Sequence, residues 1–323
     1  MKKLILRGFI LLLPFIVLVG YFFIKDPMKI VPKKNGVPTT PGVLMNDRLY
    51  VGRHISDNVH AYNSYILGSS RSKAFKIDAW NEFVDSKAYH LGVNDETLYG
   101  LERKLNYIDS LGGELNHVLI QLDHRLLSLS QDHSAHIFRE YYEMTNESRA
   151  SYYQRFFNAF LKPSFLKEYY NYQNTGVVPE NSSFLWDPGF TFDVENGDIN
   201  YTRYDDAILK DSLNFYAHHA SEFHERDPKV SDTLIDKNAR KLLMKIKTIF
   251  DFHQTNYEII VSPNYDQISL NKHDLKALND IFGQPKVHNY SGVNNFTEEV
   301  GHYYEHKHFK PFIANQLMTL VYE

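Results

Sequence analysis

The feature that most restricts the fold of this chain is a regular alternation of short apolar runs with longer amphipathic stretches. The apolar runs have strand length, and most of them end at a Gly, Asp or Pro. Alternation of this kind favours a parallel sheet covered by helices on both faces. We therefore predict a three-layer α/β/α fold with a five-stranded parallel sheet of flavodoxin-like type. The predicted strands are residues 62–67, 88–91, 118–122, 258–262 and 286–289, and the predicted helices are residues 72–84, 96–111, 236–253, 272–282 and 312–321.

A long aromatic-rich segment, residues 124–235, interrupts the alternation after the third predicted strand. Loops at the carboxyl ends of the strands form the rim of the active site in open α/β sheets. We therefore expect this insertion to lie over the pocket, with Trp186 as a possible substrate contact. The alternative is an extra helical layer without substrate contact. The core of the domain would then consist of residues 45–123 and 236–323.

The N-terminus carries basic residues followed by an uncharged run from Gly8 to Ile24. With the preceding leucines, the apolar stretch reaches the length of about 20 residues that crosses a bilayer. A cleaved signal peptide would have a shorter apolar core and a small-residue cleavage site, which is missing before Lys25. We predict an uncleaved transmembrane anchor over residues 1–24, a Pro-rich stalk over 25–44 and a folded domain over 45–323. Lysines on both sides of the anchor leave its orientation open.

The overall composition excludes several classes of protein. A formal net charge of -4 does not indicate nucleic-acid binding. With 0 Cys, the chain has neither disulfides nor thiolate metal sites. Aromatic residues make up 15% of the chain, which fits either a core rich in Phe and Tyr or a surface that contacts sugars or lipid.

The first candidate for chemistry is the turn after the first predicted strand, Gly68-Ser69-Ser70. Gly68 permits a tight turn. Ser70 would then begin a helix, where free backbone N–H groups can stabilise an oxyanion. A serine hydroxyl needs a neighbouring base to become a nucleophile. Taken alone, this pattern is also typical of a helix N-cap.

The second candidate lies close to the C-terminus, between the last predicted strand and the last predicted helix. Glu305 and His308 are three residues apart, so on a helical turn or in a tight loop the carboxylate can fix the tautomer of the imidazole. The other ring nitrogen would then face the serine. The spacing of His302 and His306 also permits a metal site, and a surface loop without a role is a further alternative. We predict a Ser70–His308–Glu305 triad and no metal.

The order of these pieces resembles the SGNH (GDSL-like) hydrolase family. The family's first block, Gly-Asp-Ser, corresponds to residues 68–70 with Ser in place of Asp, and its last block, Asp-x-x-His, corresponds to residues 305–308. The resemblance implies that the backbone of Ser70 and that of Gly92, after the second predicted strand, are the oxyanion donors. The family's third block brings an Asn, whereas this chain has Gln121-Leu122-Asp123-His124. No Asn donor can therefore be assigned, and we expect Asp123 and His124 as possible substrate contacts.

The Gly-Ser-Ser variant and the predicted anchor together resemble the extracytoplasmic acyl-transfer branch of the family. That branch includes the D-alanyl transfer protein of teichoic acid modification and polysaccharide O-acetylation proteins. The resemblance covers residues 45–123 and 236–323 and implies a domain on the outer side of the cytoplasmic membrane. It implies acyl transfer, expected to be O-acetyl transfer, to a cell-envelope polysaccharide through an acyl-Ser70 intermediate. A membrane-bound O-acyltransferase partner would supply the acyl group, and no cofactor is expected.

Two alternatives remain open at this point. One is an esterase or deacetylase that acts on envelope glycans or lipids, with the same residues and water as the acceptor. The other is a catalytically inactive binding or scaffold component of an envelope assembly.

Overall fold

The structure is a computed structural model that describes residues 2–31, 41–179, 182–187 and 189–323. Residues 32–40 of the predicted stalk lie outside the described residues. The chain forms two compact units. The first comprises Met1–Tyr50 and Ser134–Pro188, and the second comprises Val51–His133 and Gly189–Glu323.

Helices and short strands alternate along most of the described chain. The strands are β1 (Gly42–Val43), β2 (Ser64–Leu67), β3 (Ala88–His90), β4 (His117–Leu122), β5 (Leu185–Trp186), β6 (Thr191–Phe192), β7 (Ile199–Asn200), β8 (Asn256–Val261), β9 (Val287–Asn289), β10 (Tyr303–Glu305) and β11 (His308–Phe309). The α-helices are α1 (Lys2–Lys25), α2 (Asp47–Asn58), α3 (Ile77–Trp80), α4 (Leu98–Ser110), α5 (His124–Ser128), α6 (Arg149–Phe160), α7 (Pro163–Thr175), α8 (Thr202–Lys210), α9 (Ser212–His218), α10 (Lys237–His253), α11 (Lys272–Phe282), α12 (Asn295–Glu298) and α13 (Pro311–Tyr322).

The second unit is built on a five-stranded parallel sheet with the order β3-β2-β4-β8-β9. Numbered along the chain, these strands run 2-1-3-4-5, which is the flavodoxin-like order. The prediction of a mixed α/β fold with a five-stranded parallel sheet is confirmed, and each strand lies within two residues of its predicted bounds. The central strands β2, β4 and β8 are buried over nearly all of their length.

One hydrophobic cluster joins the sheet to the end of the chain. Ile66, Leu119 and Ile260 from three neighbouring strands pack with Phe75 and with the buried side of α13. Each of these three strand residues is fully buried, so this cluster packs the sheet closely against α13.

The predicted helix over residues 72–84 is wrong. A short 3-10 helix, Ser70–Ala74, is followed by the separate single turn α3. The backbone is extended between them, with φ −77° and ψ 123° at Phe75. The Ser72 hydroxyl donates to the Ser69 carbonyl at 2.8 Å, a local bond that competes with a regular α-helix. The other four predicted helices occur within two residues of their predicted bounds.

The first unit packs α1 against α6 and α7. Phe22 is fully buried, and its ring lies 5.2 Å from that of Phe157 and 5.1 Å from that of Phe160. Other apolar side chains of α1 are exposed, Leu11 by 80% and Ile24 by 72%. In the described part of the chain, no helix combines the length and the apolar character that a membrane crossing requires.

The aromatic-rich insertion is divided between the two units. Its middle part, residues 134–188 with α6, α7 and β5, belongs to the first unit, where Trp186 pairs with Gly42 of β1, whereas its first ten residues belong to the second unit. Its later part, from Gly189 onward, belongs to the second unit together with the central sheet.

Candidate active site

The turn that follows β2 holds Ser70 in a fixed place. Gly68 has a φ of +155°, and a Cβ at this position would lie 2.7 Å from Gln121 Oε1 and 2.8 Å from the Gln121 carbonyl oxygen. Any other residue would therefore collide with β4. Ser69 caps the following 3-10 helix, because its Oγ accepts from the Arg71 amide at 3.3 Å. Ser70 is the first residue of that helix and is half-buried.

The three residues of the predicted triad meet in the second unit. Ser70 Oγ lies 2.8 Å from His308 Nε2, and His308 Nδ1 is hydrogen-bonded to Glu305 Oε1. The second carboxylate oxygen of Glu305 accepts from the Lys307 amide at 2.7 Å. A serine, an imidazole and a carboxylate connected in this order form the arrangement that activates a hydroxyl for acyl transfer.

A tight β-hairpin places Glu305 opposite His308. Strands β10 and β11 are antiparallel, with these two residues as cross-strand partners and His306-Lys307 at the turn. The ring of Phe309 packs edge-to-face on that of Phe75 at 6.0 Å. Because Phe75 ends the 3-10 helix that begins at Ser70, this contact ties the hairpin to the serine turn.

The charges around the triad suit a general base. Burial lowers the pKa of His308 below 6.5, and the charges of Arg71 and Lys73 lower it further, against the opposing effect of Glu305. Burial alone would raise the pKa of Glu305, but the hydrogen bond and charge of His308 and the Lys307 amide bring the net pKa below 4.5. At neutral pH the imidazole is therefore neutral beside an ionised carboxylate.

Two backbone amides are available near the nucleophile. Among the described residues, neither the Ser70 amide nor the Gly92 amide has a hydrogen-bond partner. The amides on both sides of Gly92 are used, since Leu91 N donates to Ile66 O at 2.8 Å and Val93 N donates to Gly68 O at 3.2 Å. These bonds fix the segment of Gly92 beside the serine turn and leave its own amide unused. These are the two amides that the family resemblance implies as oxyanion donors.

Gln121 and Asp123 support the serine turn from β4. Gln121 Oε1 accepts from the Ser69 amide at 3.0 Å, and its Nε2 donates to Ser262 Oγ at 2.9 Å. Asp123 Oδ2 accepts from Ser69 Oγ at 2.6 Å and lies 3.1 Å from Arg71 Nη1. Burial raises the pKa of Asp123, but Arg71 and the hydrogen bonds outweigh this effect and lower the pKa to about 2. The Asp123 carboxylate is thus engaged with the turn.

Other predicted contacts lie in different surroundings. His124 is half-buried at the start of α5, and burial is the main reason that its pKa is lowered. Trp186 belongs to the first unit, whereas Ser70 belongs to the second. Of the two histidines weighed as metal ligands, His302 Nδ1 donates to the Phe296 carbonyl at 3.1 Å, and His306 Nδ1 lies 3.6 Å from a Glu305 oxygen.

Aromatic side chains from the later part of the insertion lie beside the imidazole of His308. The buried ring of Tyr201 lies 5.8 Å from that of His308 and is stacked on the ring of Tyr304 at 4.9 Å. The ring of Phe190 also packs on that of Tyr201, at 4.5 Å. The sequence indicated an aromatic rim but gave no signal for these particular rings, because aromatic residues occur throughout the segment.

Two further features were not predicted from the sequence. The Arg71 side chain is only 19% exposed and pairs with Asp123. A second hydrogen-bonded series, Ser72, His90 and Asp198, lies in the same unit and is buried throughout. The position of Arg71 next to Ser70 could have suggested its role. The second series could not be found from spacing, because Asp198 is 108 residues away from His90.

No protein-family model matches the chain, and no curated protein matches it.

Proposed function

We propose that the second unit is a serine-dependent acyl-transfer catalyst of the SGNH type, with three layers formed by helices on both faces of the five-stranded sheet. The observation that carries this proposal is the connected series Ser70 Oγ, His308 and Glu305, with 2.8 Å between Ser70 Oγ and His308 Nε2. The amides of Ser70 and Gly92, which have no partner among the described residues, support the same chemistry.

The reaction proceeds in two half-steps. His308 Nε2 takes the proton of Ser70 while Oγ forms a bond to the acyl carbonyl carbon, and the amides of Ser70 and Gly92 stabilise the oxyanion. The protonated imidazole then gives that proton to the leaving oxygen, and acyl-Ser70 remains. In the second half-step an acceptor hydroxyl gives its proton to His308 Nε2 while its oxygen bonds to the acyl carbon. The protonated imidazole then returns that proton to Ser70 Oγ as the ester bond breaks, which regenerates the free serine.

The acceptor in this proposal is a hydroxyl of a cell-envelope polysaccharide, and the acyl group is acetyl. Aromatic rings suit sugar rings because they offer a large apolar contact area at a small cost in rotamer entropy, and Tyr201 and its neighbours lie beside His308. The catalytic unit would face the outside of the cytoplasmic membrane, with α1 as its membrane attachment. A membrane-bound O-acyltransferase would supply the donor, and proximity at the membrane would raise its effective concentration.

The nucleophile can be tested by labelling the full chain, in detergent, with a serine-directed fluorophosphonate. Wild type should be labelled, and Ser70→Ala should abolish labelling without lowering the unfolding temperature by more than a few degrees. Ser110→Ala is a matched control, because the Ser110 hydroxyl donates to the Tyr107 carbonyl on α4 at 2.8 Å and lies outside the proposed site. Full labelling of Ser70→Ala would rule out Ser70 as the nucleophile, and absence of labelling in wild type would favour an inactive scaffold.

Transfer and hydrolysis can be separated by the fate of the acyl group. With a generic acetyl ester, the full chain should release acetate slowly and should form acetylated sugar when an oligosaccharide is added. Deletion of the gene should lower the O-acetyl content of an envelope polysaccharide. Rapid hydrolysis together with raised acetylation after deletion would instead establish the esterase alternative, which the same triad can also perform.

Topology requires a separate test. Alkaline phosphatase fused after Glu323 should be active in cells, since this enzyme needs export, and a cytoplasmic reporter at the same point should be inactive. The opposite pair of results would place the catalytic unit inside the cell.

A further inference from the structure

A second series of a serine, a histidine and an acid lies next to the serine turn. Ser72 Oγ is 3.0 Å from His90 Nε2, and His90 Nδ1 is 3.2 Å from Asp198 Oδ1. All three residues are buried, with exposures of 0%, 4% and 5%. A substrate cannot reach Ser72 in this state, so a second nucleophilic site is ruled out.

The series is joined directly to the serine turn. The Ser72 hydroxyl lies 2.8 Å from the Ser69 carbonyl as well as 3.0 Å from His90 Nε2, so its oxygen is held between the turn and the ring. Ser69 directly precedes the nucleophile, and its carbonyl belongs to the same peptide group as the Ser70 amide. A shift of Ser72 would therefore rotate one of the two candidate oxyanion donors.

Ser72 also defines the space next to the other donor. A Cβ at Gly92 would lie 2.1 Å from Ser72 Oγ and 2.8 Å from His90 Nε2. Both distances are too short for non-bonded atoms, so a side chain at Gly92 would have to displace Ser72 or His90. The Gly92 backbone therefore lies directly against the Ser72–His90 pair. The pair thus contacts the peptide groups of both amides that have no partner in the described structure.

The acid end of the series comes from the insertion. Asp198 Oδ2 accepts from the Ile77 amide at 3.0 Å, and the His90 amide donates to the Asn196 carbonyl at 2.8 Å. A Cβ at Gly197, where φ is +80°, would lie 2.5 Å from the His90 carbonyl oxygen. The hairpin that connects β6 to β7 is thereby fixed on edge strand β3, and Asp198 holds the orientation of His90.

We propose that Ser72, His90 and Asp198 are positioning residues that set the separation of the Ser70 and Gly92 amides and so shape the oxyanion hole. This inference rests on the proposed acyl-transfer function. Asp198 fixes the His90 ring, the ring holds the Ser72 oxygen, and that oxygen separates the Ser69–Ser70 peptide group from the Gly92 backbone. The insertion thus contributes to the geometry of catalysis through Asp198 as well as through its aromatic side chains.

The test measures fluorophosphonate labelling of the full chain as a maximal rate and a half-saturating concentration. Ser72→Ala and Asp198→Asn should lower the maximal rate by about 10- to 100-fold, because displacement of a reacting group by about 1 Å can cost 10²-fold. The half-saturating concentration should stay within about twofold, since neither side chain contacts the reagent. His253→Asn is a matched control, because His253 pairs with Asp109 at 2.8 Å and lies outside the second series.

A double variant tests the same contact by restored labelling, a result that unfolding of the protein cannot produce. Gly92→Ala should abolish labelling, and Ser72→Ala in the same chain should restore part of it, because the nearest clashing atom at 2.1 Å has been removed. Folded Ser72→Ala with wild-type labelling kinetics, or no rescue in a folded double variant, would overturn the positioning role while leaving the proposed function intact. Absence of labelling in wild type would reject the proposed function and the positioning role together.

Discussion

Glu305 and His308 face each other across the β10–β11 hairpin, so the carboxylate reaches the imidazole from the neighbouring strand and not from a helical turn. Glu is longer by one methylene than the Asp in the last block of the SGNH hydrolases, the family that we propose for this chain. The hairpin accommodates this extra length because cross-strand partners lie about 5 Å apart. The Lys307 amide at the turn holds the other carboxylate oxygen at 2.7 Å.

Loss of this carboxylate should strongly reduce the labelling rate of Ser70. We expect Glu305→Gln to lower it by about 10³- to 10⁴-fold, because replacement of the equivalent acid in a serine protease lowers kcat about 10⁴-fold by favouring the wrong tautomer. Glu305→Asp should lower the labelling rate much less. Glu258→Gln is the matched control, since Glu258 is also 8% exposed and pairs with His288 at 2.8 Å. Equal rates for wild type and Glu305→Gln would make the Glu305–His308 pair purely structural.

The pH dependence of labelling should respond to Arg71. His308 must be neutral to accept a proton, so the rate should fall as the pH drops through its pKa, which lies below 6.5. Arg71 lowers that pKa, and Arg71→Gln should therefore move the acid limb of the rate profile to higher pH. Arg155→Gln, which removes a partner of Glu147 in the first unit, should leave the profile unchanged. An acid limb that stays in place in Arg71→Gln would show that Arg71 does not act on His308.

Asp123 should contribute to stability in a pH-dependent way. Its pKa is about 2 in the folded protein against an ordinary 3.8, so the contribution is present above pH 4 and is lost as the pH falls through 2. The lowered pKa corresponds to about 2 kcal/mol. In urea unfolding, Asp123→Asn should be less stable than wild type by about this amount at pH 6. The difference should shrink towards pH 2, and a constant difference would mean that the charge of Asp123 is not what stabilises the turn.

A Cβ at Gly68 should disrupt the serine turn. Gly68→Ala would bring that atom within 2.8 Å of the β4 backbone. We therefore expect the free energy of unfolding to fall by about 1–3 kcal/mol and most of the fluorophosphonate labelling to be lost. Gly301→Ala is the control, because a Cβ there meets nothing within 4 Å. Its free energy of unfolding should change by less than about 0.5 kcal/mol. Equal stability of the two variants in thermal unfolding would show that the turn can move away from β4.

The sequence was sufficient for the parallel sheet, because strand-length apolar runs ending in turn residues are local patterns that located β2 and β4. The three-residue spacing of Glu305 and His308 allowed a helical turn or a tight loop, and the structure has a tight hairpin. The proximity of Ser70 to His308, 238 residues later, was predicted from the order of the motifs and not from a local pattern. The broken helix after Ser70 could not be predicted, since it depends on the bond from Ser72 to its own turn and on burial of Phe75. The division of the insertion between two units depends on distant pairing, as between β1 and β5, which has no local signal.

The burial of Phe22 between the rings of α6 has a practical consequence for anyone who shortens this chain. An expression clone that begins at Met45 would omit α1 and so uncover Phe160, which is fully buried in the intact first unit. Freshly exposed aromatic surface promotes self-association, so such a truncated preparation would be prone to aggregate even if the catalytic residues were intact. Solubilising the complete polypeptide is therefore the sounder route to a sample for enzymology.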